Sequence, residues 1–201
     1  MLEARDYTLI IDKSGSMSQI DPRVGKSHWE IMQESTLALA VQCEMFDPDG
    51  ITVYVFSGRF RRYDHVTSDR VARIFQENIP TGHTGLCNAL EDALHSYFER
   101  KALGQSKPNG EAFLVVTDGN IKDRRRLVRL IVDASQRIER HDELGISFIQ
   151  VGHNGEATRF LKVLDDQLQG AGARFDIVDT LTIDQMGEMT LTEVLIDAIL
   201  D

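Results

Sequence analysis

Asp12, Ser14 and Ser16 stand directly after the apolar run 7–11, where a buried strand is expected to end. Hard divalent cations prefer oxygen ligands, and one carboxylate combined with hydroxyls and water suits Mg²⁺, which keeps part of its hydration shell. These three side chains therefore predict a metal-dependent binding site. Asp and Ser are also favoured in turns and helix caps whatever the function, so this segment alone leaves that simpler role open.

Two other polar loops are expected near the same place. Residues 81–85 precede a stretch of helical periodicity, and residues 117–119 follow the strongly apolar run 112–117. In an open doubly wound sheet, ligands bind outside the carboxyl ends of the strands, near the point where strand order reverses. The three polar loops satisfy that rule together.

The elements that must position these loops alternate between strand-like and helix-like patterns. Strands are predicted at 6–11, 51–56, 61–66, 112–117, 145–151 and 174–178, and helices at 27–46, 69–77, 86–101, 123–140, 156–168 and 188–200. The charged 61–66 segment suits a sheet edge. We therefore expect one α/β domain over 1–201, with a doubly wound, mostly parallel sheet, one antiparallel edge strand and helices on both faces.

Composition narrows the classes of function. The chain has 201 residues, 42% of them apolar, and 32 acidic against 22 basic residues give a net charge of -10. Such a surface repels phosphate backbones, so nucleic acid is not expected as a partner. No apolar stretch reaches the length of a membrane span, and no signal peptide is expected. Cys43 and Cys87 lack the spacing of a zinc or redox pair, which favours reduced core thiols and a cytoplasmic location.

The three polar loops resemble the metal-ion-dependent adhesion site of the von Willebrand factor type A family. The signature of that site is Asp-x-Ser-x-Ser, followed by a Thr and then an Asp. Asp12, Ser14 and Ser16 match the first part, Thr84 stands in a Gly-x-Thr loop that opens a helix, and Asp118 stands in Thr-Asp-Gly. The order and spacing of the predicted elements follow the family's Rossmann-like fold along the chain.

This resemblance implies a site and a kind of partner. Ser14, Ser16 and Thr84 would bind Mg²⁺, or Mn²⁺ or Ca²⁺, through hydroxyls, while Asp12 and Asp118 would bind it directly or through water. An acidic side chain of a protein partner would supply the last ligand. The Asp-x-Ser-Gly-Ser-Met form resembles intracellular bacterial members, which implies an accessory to a AAA+ ATPase of the MoxR type or to a stress-response complex.

Two other functions are weighed against this binding module. A metal-dependent phosphate-ester hydrolase would use Asp12 as its nucleophile, but the Asp-x-Asp pattern is missing because Ser14 fills the second position. No Gly-x-Ser-x-Gly elbow surrounds the serines, so enzymatic activity is not expected. In a purely structural subunit, the metal would only stabilise the three loops.

Two further patterns have alternative readings. A basic run after Asp118 could attract an acidic partner or form an ordinary solvated helix face; it contains Lys122, Arg124, Arg125, Arg126 and Arg129. Apolar residues at helical spacing near the C-terminus favour packing against the sheet over a partner-binding stripe; they are Met186, Met189, Leu191, Leu195 and Ile199.

Overall fold

The sheet of this protein has six strands in the order β3-β2-β1-β4-β5-β6. The structure is a computed structural model that describes residues 2–200. Its strands are β1 Asp6–Asp12, β2 Ile51–Phe56, β3 Phe60–Val66, β4 Glu111–Thr117, β5 Leu144–Gln150 and β6 Val178–Thr182. Neighbouring strands are parallel except β2 and β3, which are antiparallel. The predicted α/β fold with one antiparallel edge strand is confirmed.

Helices cover both faces of the sheet. They are α1 His28–Phe46, α2 Ser68–Glu77, α3 Leu86–Ala102, α4 Arg124–Arg137, α5 Gly155–Asp166, α6 Ile183–Glu188 and α7 Leu191–Leu200. Buried side chains of α1, α2, α6 and α7 form one apolar core against the sheet, and those of α3, α4 and α5 form the other. The interior strands are buried on both faces, and apolar residues predominate in each of them.

Local sequence explains where the two long helices begin and which faces they bury. The Ser27 side chain accepts a hydrogen bond from the Glu30 N–H, and the Glu30 carboxylate accepts one from the Ser27 N–H, which is a complete capping box for α1. Helix α3 buries Leu86, Leu90, Leu94 and Phe98 at spacings of four residues, as predicted. Apolar periodicity and a polar cap together determine these elements.

Three predicted boundaries are wrong. The last strand lies at Val178–Thr182 rather than 174–178, because Arg174 hydrogen-bonds to Ser135 and Ile138 and so is held against the end of α4. Helix α4 ends at Arg137 instead of 140, since Ile138 is extended and buried.

The helix predicted at 188–200 starts three residues later, as α7 Leu191–Leu200, and the short helix α6 Ile183–Glu188 was not predicted. Helix α6 ends at Glu188, and Thr190 then starts α7 by exchanging hydrogen bonds with Glu193. Met186, Leu195 and Ile199 are buried, and Met189 packs on the same core, so these side chains contribute to packing as expected. The side chain of Leu191 lies outside the described part of the structure.

Two other expectations can be compared with the fold. Cys43 and Cys87 are free thiols, and both are buried. Between residues 2 and 200, no helix combines the length and apolar character needed to cross a bilayer.

Candidate metal centre

The candidate site begins at the boundary between two central strands. Strands β1 and β4 are neighbours at the point where strand order reverses, with Ile11 opposite Val116. Asp12 and Thr117 are the next residues on each strand, and both are fully buried. The Thr117 hydroxyl donates a 2.6 Å hydrogen bond to Asp12 Oδ2. Asp12 is thereby held in one orientation.

The segment after Asp12 brings the two serine hydroxyls together. The Ser14 N–H donates a 2.8 Å hydrogen bond to Asp12 Oδ1, and Ser14 then starts a short 3₁₀ helix, Gly15–Ser18. The Ser14 and Ser16 hydroxyl oxygens are 3.1 Å apart. Asp12, Ser14 and Ser16 therefore form a compact group at the carboxyl end of β1.

Main-chain hydrogen bonds attach the Thr84 loop to this group. The Thr81 N–H donates to the Lys13 carbonyl at 2.7 Å, and the Gly15 N–H donates to the Gly82 carbonyl at 3.0 Å. Gly82 has a φ of +81°, a left-handed conformation that glycine adopts without strain. Main-chain hydrogen bonds therefore hold the loop after β1 against the loop before α3.

Gly85 places the start of α3 close to the loop after β2. A Cβ atom at Gly85 would lie 2.4 Å from the Ser57 carbonyl oxygen. Gly85 is therefore required by close approach of two backbones, at the residue that follows Thr84. The Thr84 side chain is half-buried, and its hydroxyl makes no hydrogen bond within residues 2–200.

Asp118 completes the set of predicted ligands at the end of β4. Its side chain is 6% exposed, and its Oδ1 accepts a 3.0 Å hydrogen bond from the Asn120 N–H. Asp118 is near enough to Asp12 for its negative charge to contribute to raising the pKa of Asp12. The five predicted residues therefore lie on three loops at one edge of the sheet.

The chemistry of these donors fits a hard cation. Octahedral Mg²⁺ with ligands at about 2.1 Å places adjacent ligand oxygens about 3 Å apart, which matches the 3.1 Å between the Ser14 and Ser16 oxygens. In the described residues, no three His, Cys, Asp or Glu side chains form a cluster able to hold a metal ion. A cation at this edge would therefore depend on the hydroxyls as well as on Asp12 and Asp118.

Burial disfavours the charged form of the Asp12 carboxyl group. Removal from water raises the pKa of Asp12 to about 6, while hydrogen bonds from Thr117 and Ser14 partly offset this effect and the charge of Asp118 adds to it. The Thr117 hydroxyl and the Ser14 N–H donate to different Asp12 oxygens, and the Ser14 side chain also interacts with this carboxylate, which leaves part of its acceptor capacity open. Asp12 can therefore accept further bonds from a cation or its bound water.

Sequence reasoning missed two contributors to this arrangement. Thr117 was expected at the end of a strand and in the polar loop 117–119, but not as a hydrogen-bond donor to Asp12. A polar residue closing an otherwise apolar strand is the signal that could have identified it. Ser57 contributes backbone atoms that pack against Gly85. Because any residue at position 57 would supply these atoms, the identity of Ser57 could not have predicted the contact.

Comparisons with solved structures agree with this architecture. A mutant of the PilB minor pilin from Streptococcus sanguinis matches with a TM-score of 0.63 and 10% identity, over 94% of this chain and 60% of that one. A protein described as a von Willebrand factor type A from Catenulispora acidiphila matches with a TM-score of 0.56 and 16% identity, over 98% of this chain and 43% of that one. The chain has a von Willebrand factor A-like fold.

The likeness is one of fold at these levels of identity. The chain spans less than two thirds of the length of each of those two proteins. Its sequence matches no protein-family model and no curated protein. The von Willebrand factor A-like fold nevertheless places the ends of β1 and β4, with Asp12 and Asp118, at the point where strand order reverses.

Proposed function

We propose that this chain is a non-enzymatic, metal-dependent protein-binding module. In this proposal, Asp12, Ser14, Ser16, Thr84 and Asp118 hold Mg²⁺, and an acidic side chain of a partner protein supplies a further ligand. The observation that carries the proposal is the 3.1 Å separation of the Ser14 and Ser16 hydroxyl oxygens beside the buried Asp12.

Their hydrogen bonds indicate which oxygen atoms of the five residues are available to bind the cation. The Thr84 hydroxyl and Asp118 Oδ2 have no hydrogen-bond partner within residues 2–200, so both are available to the cation or to its water. Asp12 has both oxygens engaged and would act mainly through its remaining acceptor positions. Two carboxylates balance a divalent charge, and any carboxylate held one water away leaves the cation attractive to an outside anion.

The donor set and the family resemblance indicate the cation and the class of partner. Mg²⁺ is proposed over Ca²⁺ because hydroxyls outnumber carboxylates in this set, and Mn²⁺ is the alternative that the same octahedral oxygen ligands would accept. A cytoplasmic partner of the AAA+ ATPase type, as in MoxR-like assemblies, is implied by the family resemblance alone. The general proposal of an acidic protein partner does not depend on that class.

Titration calorimetry with MgCl₂ tests the cation site. We expect Mg²⁺ uptake by the wild type and at least a tenfold weaker affinity in Ser16→Ala, because one hydroxyl ligand is lost. Ser18→Ala is a matched control: Ser18 lies in the same 3₁₀ helix, but its hydroxyl bonds to the Gly15 carbonyl at 2.7 Å. Absence of Mg²⁺, Mn²⁺ and Ca²⁺ uptake by the folded wild type would refute the proposal.

Hydrolase activity has less support from the geometry. A nucleophilic carboxylate must reach its substrate, whereas Asp12 is fully buried and both its oxygens accept hydrogen bonds. Incubation with a generic phosphate ester is the direct test. Turnover that disappears in Asp12→Asn would favour the hydrolase over the binding module.

A further inference from the structure

The basic run after Asp118 divides into paired and unpaired residues. Arg124 forms a 2.9 Å ion pair with Glu156. Arg126 donates a 2.6 Å hydrogen bond to Glu91 and a 2.9 Å hydrogen bond to Asn88, which fixes it against α3. These two arginines therefore link α4 to its neighbouring helices.

The other three basic residues of the run make no such links between helices. Lys122, Arg125 and Arg129 form no ion pair with any carboxylate in residues 2–200, and all three are exposed. Arg125 and Arg129 are four residues apart on α4 and so lie on the same side of the helix. Lys122 lies in the turn just before α4. We call these three residues the cationic face.

The position of these cations opposes helix stability. The first turn of α4 carries Arg124, Arg125 and Arg126 and no acidic residue. The amino end of a helix bears a partial positive charge, so cations there destabilise the helix. Asp123, which caps the helix by accepting a hydrogen bond from the Arg126 N–H, offsets only part of that charge. The arrangement concentrates five basic residues within eight positions, 122–129, although the whole chain has a net charge of -10.

A groove runs from the candidate metal centre to Lys122 of the cationic face. It has a volume of about 160 Å³, and its lining includes Thr84 and Asn88 on one side and Ile121, Lys122, Asp123 and Arg126 on the other. Arg125 and Arg129 are exposed on α4 beyond the lining of the groove. Thr84 belongs to both the groove and the candidate metal centre. A segment whose carboxylate reaches a cation beside Thr84 would therefore continue along the groove toward Lys122.

We propose that the partner is a protein with an acidic segment, which crosses this groove and places further carboxylates on the cationic face. The contact at Thr84 rests on the proposed function, whereas the contact at Lys122, Arg125 and Arg129 requires no metal. Charge complementarity favours such a segment. A nucleic acid is disfavoured because the remaining surface is acidic and would repel a long polyanion.

Fluorescence anisotropy with a defined acidic peptide tests this proposal. The probe is a short labelled peptide of alternating Asp and Ala, measured against its Asn-Ala counterpart in Mg²⁺ and in EDTA. The variant is Arg125→Glu/Arg129→Glu. The control is Arg73→Glu/Arg159→Glu, which makes the same change of net charge at exposed positions on α2 and α5.

We expect the Asp-Ala peptide to bind about fivefold more weakly to the Arg125→Glu/Arg129→Glu variant, and the control to change its affinity by less than about twofold. The same loss in EDTA would support the cationic face independently of the metal. Equal effects of the variant and the control, no preference over the Asn-Ala peptide, or no binding of the acidic peptide would overturn the proposal. So would equal competition by a DNA duplex of matched charge.

The two proposals fail in different ways. If EDTA leaves binding unchanged while the variant weakens it, the metal-dependent function fails and the cationic face stands. If EDTA abolishes binding while the variant acts like the control, the metal-dependent function stands and the proposal for the cationic face fails. Thermal melting separates a structural role: we expect Arg125→Glu to melt at the same or a higher temperature, because it removes a cation from the helix amino end. A lower melting temperature together with unchanged peptide affinity would show that Arg125 is structural.

Discussion

The Thr117 hydroxyl and the Asp12 carboxylate are joined across two adjacent strands by a 2.6 Å hydrogen bond. Both residues are fully buried, and this bond connects the end of β4 to the side chain that begins the Asp-x-Ser-x-Ser segment. Hydrogen bonds to buried charged groups are stronger than those between neutral groups. The orientation of Asp12 therefore depends on Thr117.

Replacement of Thr117 by valine tests this dependence. We expect Thr117→Val to weaken Mg²⁺ binding about tenfold and to lower the free energy of unfolding by about 1–3 kcal/mol, because the buried Asp12 oxygen loses its donor. Calorimetry measures the first effect and urea unfolding the second.

Thr8→Val is the matched control for Thr117→Val. The buried Thr8 hydroxyl donates a hydrogen bond to the Glu111 carboxylate in the same pair of strands, toward their other end. We expect a similar loss of stability with unchanged Mg²⁺ affinity. Equal losses of affinity in both variants would indicate a general loosening of the sheet.

A methyl group at Gly85 should displace the loop that carries Thr84. The added Cβ would lie 2.4 Å from the Ser57 carbonyl, so we expect Gly85→Ala to destabilise the fold by about 1–3 kcal/mol and to weaken Mg²⁺ uptake. Gly58→Ala serves as the comparison, since a Cβ there meets no atom within 4 Å. Urea unfolding of both variants checks the prediction. Equal stability of the two would contradict the close approach.

A second buried carboxylate predicts the pH dependence of stability. Burial and a hydrogen bond with Asp49 raise the pKa of Asp47 to about 7, although Lys107 contacts both carboxylates. A raised pKa means that the folded protein retains a proton that the unfolded chain loses near pH 4. The contribution of Asp47 to stability is therefore lost as the pH rises from about 4 to about 7.

Asp47→Asn should remove that pH dependence. We expect a melting temperature near that of the wild type at pH 4 and a higher one at pH 8, corresponding to about 1–3 kcal/mol. Asp64→Asn provides the control, because Asp64 is exposed and paired with Arg62. Differential scanning calorimetry across pH measures both. A lower melting temperature of Asp47→Asn at pH 8 would show that its ion pair with Lys107 outweighs the cost of burial.

Removal of the Asp118 carboxylate separates binding from stabilisation by a metal. We expect Asp118→Ala to lose Mg²⁺-dependent partner capture while its melting temperature in EDTA stays equal to or above that of the wild type, since a like charge near Asp12 is removed. Asp69→Ala, at an exposed position on α2, is the control. Partner capture that persists in folded Asp118→Ala would favour a purely structural metal.

The core elements were predictable because burial leaves a pattern in residue type. Strands β1, β2 and β4 are rich in apolar and β-branched residues, and α3 repeats Leu at every fourth residue from 86 to 94. The break before α7 was missed because apolar spacing continues across it while the Thr190 capping box starts a new helix. Strand β6 was misplaced because Phe175 and Ile177 are apolar but lie in a connecting segment.

The same contrast applies to the candidate site. The three polar loops could be located from residue types at the strand ends, and the resemblance to the von Willebrand factor A metal site then implied the set Asp12, Ser14, Ser16, Thr84 and Asp118. The contacts that bring the loops together join main-chain atoms of Lys13, Gly15, Thr81 and Gly82, and any residue could supply most of these atoms. The metal-binding role of the five residues stays a prediction.

Those main-chain bonds hold the loops in place independently of the side chains that carry the proposed donor atoms. Exchange of a side chain at Ser14, Ser16 or Thr84 removes none of the bonds from Thr81 to Lys13 and from Gly15 to Gly82. If these residues bind a cation as proposed, the ligand set can be changed, for example by Ser16→Asp to favour a larger cation, while these main-chain bonds stay in place. Single substitutions, designed or natural, would then change or abolish the cation selectivity of the proposed site.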